Sequence, residues 1–292
     1  MGIYFDALSA FPMLYYSLAL LFGLCIGSFL NVVIYRLPIM LEQSWRQEAK
    51  SVLELPADQP TPTRYNLSTP ASSCPHCGHQ IRWFENIPLL SYLALRGRCS
   101  QCANKISVRY PLVEVVTAGL TVFLAMATEP SLAVLAWMVF LWSLIALTGI
   151  DLDTQLLPDQ ITLPLLWLGL LASLTGITET PLDAAVLGAI LGYLSLWSIY
   201  HIFRLLTGKE GMGYGDFKLF AAFGAWFGWT ALPVIILLSS LVGAVVGICM
   251  MVLLGRDRQL PIAFGPYLCG AALVYFFWGD WLVSTYMSWA MG

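Results

Sequence analysis

Two groups of residues in this 292-residue chain have the types and spacing for chemistry. The first is a pair of carboxylate clusters far apart in sequence. Gly211-Met212-Gly213-Tyr214-Gly215-Asp216-Phe217-Lys218 places an acid at the mouth of an apolar segment, and Gly149-Ile150-Asp151-Leu152-Asp153, followed by Leu157-Pro158-Asp159, ends another apolar run. An acid at the edge of an apolar helix is costly unless it is paired or has work to do. Two carboxyl groups sharing one site can divide amide hydrolysis between them: the ionised one takes a proton from water while the protonated one polarises the scissile carbonyl. No nucleophilic side chain is then required. The three histidines, His76, His79 and His201, make neither a Ser/His or Cys/His arrangement nor a His-Glu-x-x-His motif.

Three acids compete for the first position. Asp151 and Asp153 are two residues apart, so on a continuing helix they point to opposite sides. Asp159 follows Pro158 and suits the start of the next helix. Asp151 lies deepest in the apolar run, which favours it as the partner of Asp216. Gly213 and Gly215 support Asp216 by removing side chains where a substrate backbone has to approach. Lys218 is the obvious neutralising partner for Asp216, but at two residues' distance on a helix it faces elsewhere.

The second group is Cys74-Pro75-His76-Cys77 and Cys99-Ser100-Gln101-Cys102. Two Cys-x-x-Cys pairs at this separation fit a zinc ribbon, in which Cys74, Cys77, Cys99 and Cys102 close a tetrahedron and leave no open position for catalysis. Disulfides are the alternative, disfavoured if this segment lies in a reducing compartment. His76 and His79 read as exposed knuckle residues rather than ligands. Cys25, Cys249 and Cys269 lie in apolar runs and behave as small hydrophobes.

The elements that position these groups are apolar helices. The chain is 59% hydrophobic and 11% charged, against about 25% charged in soluble domains, and its mean hydropathy is +0.76. Apolar stretches of bilayer-spanning or near-spanning length run over Phe11 to Ile34, Leu112 to Thr128, Leu132 to Thr148, Ile161 to Thr175, Leu182 to Leu206, Phe217 to Leu232, Pro233 to Leu254 and Ile262 to Trp281. The expected fold is therefore an α-helical polytopic membrane protein of about eight transmembrane helices, with a cytoplasmic zinc-ribbon-like insertion between the first and second. The domains expected are a first transmembrane helix over residues 1–35, a cytoplasmic loop with the four-cysteine subdomain over 36–110, and a seven-helix membrane domain over 111–292. The first stretch lacks a basic leader and a small-residue cleavage site, so it does not read as a cleavable signal peptide.

Nine of the 14 Lys and Arg residues fall between Arg36 and Arg109, and the others are Arg204, Lys209, Lys218, Arg256 and Arg258. Eight crossings with the N-terminus outside put all of them on one face, which the positive-inside rule makes cytoplasmic. Both termini are then periplasmic, Asp151 and Asp216 share the cytoplasmic edge, and the opposite loops hold Asp6, Glu129, Glu179, Asp183 and Asp280. The first helix is expected to leave the membrane at Tyr35-Arg36-Leu37-Pro38, and the polar stretch that begins at Leu41 to start as a loop that includes Pro56, Pro60 and Pro62, with a short amphipathic helix over Gln43 to Leu55. Asn31 and Arg36 read first as packing and hydrogen-bonding residues and second as site residues, and Glu114 as an acid at a helix start.

Taken together, Tyr65-Asn66-Leu67, Ser73-Cys74-Pro75-His76-Cys77, Asn86-Ile87-Pro88, Leu95-Arg96-Gly97-Arg98-Cys99, Ser107-Val108-Arg109-Tyr110-Pro111-Leu112-Val113-Glu114, Ile150-Asp151-Leu152-Asp153, Leu156-Leu157-Pro158-Asp159, Gly213-Tyr214-Gly215-Asp216-Phe217-Lys218 and Phe264-Gly265-Pro266-Tyr267 resemble the bacterial type IV prepilin leader peptidase and N-methyltransferase family, a Gly-x-Gly-Asp type of aspartyl protease. The resemblance implies a bacterial inner-membrane enzyme that removes the short basic leader of type IV prepilins or type II secretion pseudopilins on the cytoplasmic side. It then implies methylation of the new N-terminal amine with S-adenosylmethionine. It carries the paired aspartates onto Asp151 and Asp216 and the cysteines onto Cys74, Cys77, Cys99 and Cys102, with Zn²⁺ structural; members lacking those cysteines cleave without methylating. Partners implied are prepilin and pseudopilin substrates and membrane lipid, with no nucleic acid. No strand-helix glycine fingerprint marks a methyl-donor site; a pocket between the cysteine loop and the first helices, near Asn31, Arg36 and Glu114, is the expected place. Asp153 and Asp159 are expected to attract the leader's positive charge. The competing readings are a peptidase without methylation, an acid-relay transporter, which would carry its acids nearer the midplane and show inverted repeats, and a zinc-stabilised adaptor without chemistry.

Overall fold

In a computed structural model, residues 5, 8–55, 65–254 and 262–291 are described. The irregular stretch expected around Pro56, Pro60 and Pro62, and the basic pair Arg256 and Arg258, lie outside them. The described residues are helical with no strands, and the chain divides into two compact units, Met1–Val134 and Leu135–Gly292.

In the first unit, helix α1 runs from Pro12 to Val52, 41 residues with Pro38 inside it. At about 1.5 Å per residue that is roughly 60 Å, about twice a bilayer's hydrocarbon core. The helix therefore continues past Tyr35-Arg36-Leu37-Pro38, and most of the amphipathic segment expected over Gln43 to Leu55 is its continuation. The residues after Pro38 sustain it with i, i+4 side-chain bonds, Arg46 to Glu42 and the Ser44 hydroxyl to Glu48. A short 3₁₀ turn over Trp83–Asn86 and α2, Leu90–Ala94, belong to the cysteine segment, and α3 spans Arg109–Ala127. Helix α3 packs along α1, where Gly23 and Gly27 lie against the backbone of Ala118 and Glu114. Small residues there give close contact between helices that have no hydrophobic drive to associate in lipid.

The second unit holds α4 (Leu132–Thr154, almost all within it), α5 (Asp159–Leu174), α6 (Leu182–Thr207), α7 (Tyr214–Phe227), α8 (Leu232–Leu254) and α9 (Gly265–Met291). Six of the helices in the described residues are long and apolar enough to cross a membrane; α5, at 16 residues, and α7, at 14, fall short. Each of the eight apolar stretches forms a helix, and α5 and α7 are the two that are shorter than a full crossing. Helix α7 stops at Phe227 rather than Leu232 because Gly228 turns to φ +80°, ψ 170°, an extended positive-φ conformation that glycine adopts and a helix cannot continue through. Its shortness is tolerable because it is enclosed: Phe217, Phe220, Phe223 and Trp226 are fully buried, and it packs on α5, α6 and α9.

Two contacts set where α7 sits. Gly188 of α6 and Gly224 of α7 meet backbone to backbone, and a Cβ on either would fall inside the other's carbonyl. We expect Gly224→Ala to destabilise the membrane domain by about 1–3 kcal/mol through overpacking. A denaturant titration in detergent checks this, and an unchanged midpoint would refute it. The second contact is aromatic. Phe140 and Trp137 of α4 lie 5.0 and 4.8 Å from Trp226 between ring centroids, and Trp137 is 4.6 Å from Phe276 of α9. Phe140 precedes Asp151 by about 16 Å of helix axis and Trp226 follows Asp216 by about 15 Å, at about 1.5 Å per residue. With α4 and α7 antiparallel, that one stack brings both carboxylates to the same level.

Candidate active site and metal centre

Asp151 is 4% exposed and Asp216 6%, near the C-terminus of α4 and in the first turn of α7 respectively. Both line a single cavity of about 200 Å³, together with Gln155, Leu157, Glu210, Gly211, Met212, Gly213, Gly215, Ile262, Ala263 and Phe264. Asp216 is the third residue of its helix, and its Oδ2 accepts the N–H of Gly213, the N-cap, at 3.1 Å. This reciprocal cap turns the carboxylate back towards the start of its own helix. Its Oδ1 is buried and has no hydrogen-bond partner, which leaves it for water or a substrate atom. Gly215 lies so close to Leu157 that a Cβ would stand 2.6 Å from the leucine Cβ. Gly215 thus lets α7 approach the turn that follows Asp151.

Asp151 is held from a third direction. The N–H of Gly265, the first residue of α9, donates to its Oδ2 at 2.9 Å. A Cβ on Gly265 would lie 2.7 Å from that same oxygen. Phe264-Gly265-Pro266-Tyr267 stood out in the sequence only as part of a resemblance; a glycine opening an apolar helix gives no local sign that it grips an acid 114 residues away.

The other acids go elsewhere. Asp159 is ion-paired: Lys218 Nζ donates to both its oxygens, at 2.7 and 2.8 Å, and so pins the start of α5 to α7. Lys218 thereby serves Asp159 and not Asp216, as helix geometry required. Asp153 is exposed and is not among the residues lining the cavity. Glu210 takes that place, an acid the sequence reading passed over because it lies in a connecting loop with no apolar flank.

In the first unit, the four Sγ atoms of Cys74, Cys77, Cys99 and Cys102 all lie within 4.8 Å of one another, with Cys74–Cys102 and Cys77–Cys99 at 3.9 Å. Four sulfurs at about 2.3 Å from one ion stand about 3.8 Å apart along the edges of a tetrahedron, so the cluster fits a metal of zinc's size and preference. Each pair sits in a knuckle of the same build. Cys74 N–H donates to His79 O and Gly78 N–H to Cys74 O; Cys99 N–H donates to Asn104 O and Ala103 N–H to Cys99 O. Backbone N–H groups of Cys77 and His76 hold the Cys74 thiol down at about 7 and those of Cys102 and Gln101 lower Cys99, whereas Cys77, despite the backbone N–H of His79, is pushed up to about 12 by desolvation and by its thiol neighbours Cys102, Cys74 and Cys99. His79 is not the exposed residue expected. Its side chain is 17% exposed, and Nε2 bonds Glu85 Oε2 at 3.1 Å and Ser100 Oγ at 3.3 Å, linking one knuckle to the other. The Arg82 backbone N–H, followed by Ser100 and His79, holds the Glu85 carboxyl at about 2.

Asn31, Arg36 and Glu114 are all buried. Asn31 Nδ2 donates to Tyr110 O at 3.0 Å, Arg36 Nη1 to Asn66 O at 3.0 Å, and Glu114 Oε2 accepts the N–H of Leu89 at 2.8 Å. These are struts tying α1, α3 and the cysteine segment together.

Fold and site define a multi-pass membrane protein with two buried carboxylates on one cavity and a separate four-thiol centre. Residues 21–128 match the family model of the bacterial peptidase A24 N-terminal domain, and residues 138–248 that of the type IV leader peptidase family. The gap between the two matches brackets the division between the compact units. Proteins named prepilin leader peptidase/N-methyltransferase are similar along nearly the whole chain: 57% identity with that of Aeromonas salmonicida over 95% of each chain, 54% with that of Aeromonas hydrophila over 99% of each, and 50% with that of Pseudomonas aeruginosa over 98% of each. No solved structure matches the chain. The chain belongs to the type IV leader peptidase family.

Proposed function

We propose that this protein removes the leader peptide of type IV prepilins or type II secretion pseudopilins and then N-methylates the new N-terminal residue. The observation that carries the hydrolytic half is the convergence of Asp151 and Asp216 on one cavity from helices remote in sequence. The ionised carboxyl draws a proton from a water held between them, and that water attacks the scissile carbonyl, which the protonated carboxyl polarises. As the tetrahedral intermediate collapses, the proton returns to the departing amine. The glycines at 211, 213 and 215 leave the wall of the cavity open to an extended backbone. S-adenosylmethionine supplies the methyl group for the freed amine.

The four cysteines bind structural Zn²⁺ in this reading. We expect Cys74→Ser to lower bound zinc in elemental analysis and to cut methylation at least about tenfold, while leader removal continues, because a metal-organised subdomain loses its fold with its ligands. Full methylation in a zinc-depleted protein would refute the link. The charge distribution supports the cytoplasmic, or inner, membrane with the cavity facing the cytoplasm and both termini in the periplasm.

Mass spectrometry of a prepilin coexpressed with this protein tests both halves together. The expected N-terminus lacks the leader and carries one methyl group. An intact leader overturns the reading, and a cleaved but unmethylated terminus leaves the peptidase alone. Acids at a membrane edge also suit a proton-coupled transporter, but such a protein needs no glycine-lined opening beside them.

A further inference from the structure

Three carboxylates line the cavity, Asp151, Asp216 and Glu210, and none of the described lining residues is a lysine or arginine. The mechanism uses two of them. Glu210 stands in the loop between α6 and α7, directly ahead of the glycine run. Its described ion pair is with Arg204 at 3.9 Å, and the two side chains are 70% and 51% exposed. A pair so long and so wet contributes little and exchanges readily. Leu157, Met212, Ile262 and Phe264 add apolar surface to the same lining, which suits the methylene stem of a long cationic side chain whose head reaches an acid.

We infer that Glu210 is a specificity residue of the peptidase, selecting substrates with a lysine or arginine in the segment to be removed by exchanging its loose partner Arg204 for the substrate's cation. The inference rests on the hydrolytic reading above. It shifts leader recognition away from Asp159, whose charge Lys218 already holds. Glu210 acts on binding and not on bond breaking, so its loss falls on KM.

The test uses the full chain in detergent with a whole prepilin, comparing a leader that keeps its lysine and arginine residues with one in which they are glutamine. Glu210→Gln is expected to raise KM about fivefold to tenfold for the basic leader with kcat within about twofold, and to leave the neutral leader unchanged. Glu210→Lys should prefer a leader carrying glutamate at those positions, and Arg204→Gln, on an exposed side chain, should lower KM for the basic leader. An unchanged KM in Glu210→Gln overturns the inference. An equal rise for both leaders overturns it as well, since that marks damage to the loop. Failure of the unmutated protein to cut the basic prepilin removes the peptidase reading with it; cleavage together with an indifferent Glu210→Gln removes this inference alone.

Discussion

Asp216→Asn is expected to stop leader removal, lowering turnover by about 10²- to 10⁴-fold, the range that positioned acid–base groups contribute, while the membrane domain stays folded. The shape of the side chain is kept, and the amide oxygen can still accept the Gly213 N–H that caps α7. What is lost is the ability to exchange a proton at the oxygen that has no partner inside the protein. The substitution puts an amide into a buried position and costs about 1–3 kcal/mol if the new N–H groups find no acceptor, so stability has to be followed beside activity. Zinc content serves as the internal control, because the four cysteines belong to the other compact unit. Purified variant and unmutated protein, given the same prepilin at matched concentration, decide it. Turnover within threefold of the original would end the two-carboxylate mechanism.

Gly265→Ala carries the second large effect, and a less obvious one. Alanine favours helix over glycine by about 1 kcal/mol, so by propensity alone the change should be benign. Here the added methyl would stand 2.7 Å from Asp151 Oδ2 and 3.1 Å from Leu157 Cδ2. Either the carboxylate swings off the Gly265 N–H or the start of α9 moves back, and both shift Asp151 relative to Asp216. Displacements of about 1 Å in a catalytic constellation cost about 100-fold, and that is the drop expected in kcat. Gly270, on the same helix, has nothing within 4 Å of its would-be Cβ. Gly270→Ala is therefore the matched control and should cleave at the original rate. Equal activity in both variants would show that Gly265 does not position the acid.

Much of this was legible in the residues. The apolar runs lie where helices form because their composition makes any other backbone too costly in lipid. Acids at the edges of such runs and paired Cys-x-x-Cys spacings announce themselves locally, since each needs only its near neighbours to be read. Helix ends were less legible. Helix α1 passes through Pro38 and runs on to Val52, well beyond the point where it was expected to leave the membrane. The early end of α7 depends on the positive φ that Gly228 adopts.

Sequence alone therefore determined the helical membrane class and singled out two aspartates and four cysteines as candidates, properties set by side-chain chemistry and short-range period. Only the tertiary structure decided which groups face one another. The stack of Trp137 and Phe140 on Trp226 levels the two acids, Lys218 pairs with Asp159, the backbone N–H of Gly265 grips Asp151 from a helix end, and the carboxylate of Glu210 joins the cavity from a loop. Those relations link positions tens to more than a hundred residues apart. They follow from how helices pack, and no local pattern of residues encodes packing over that separation.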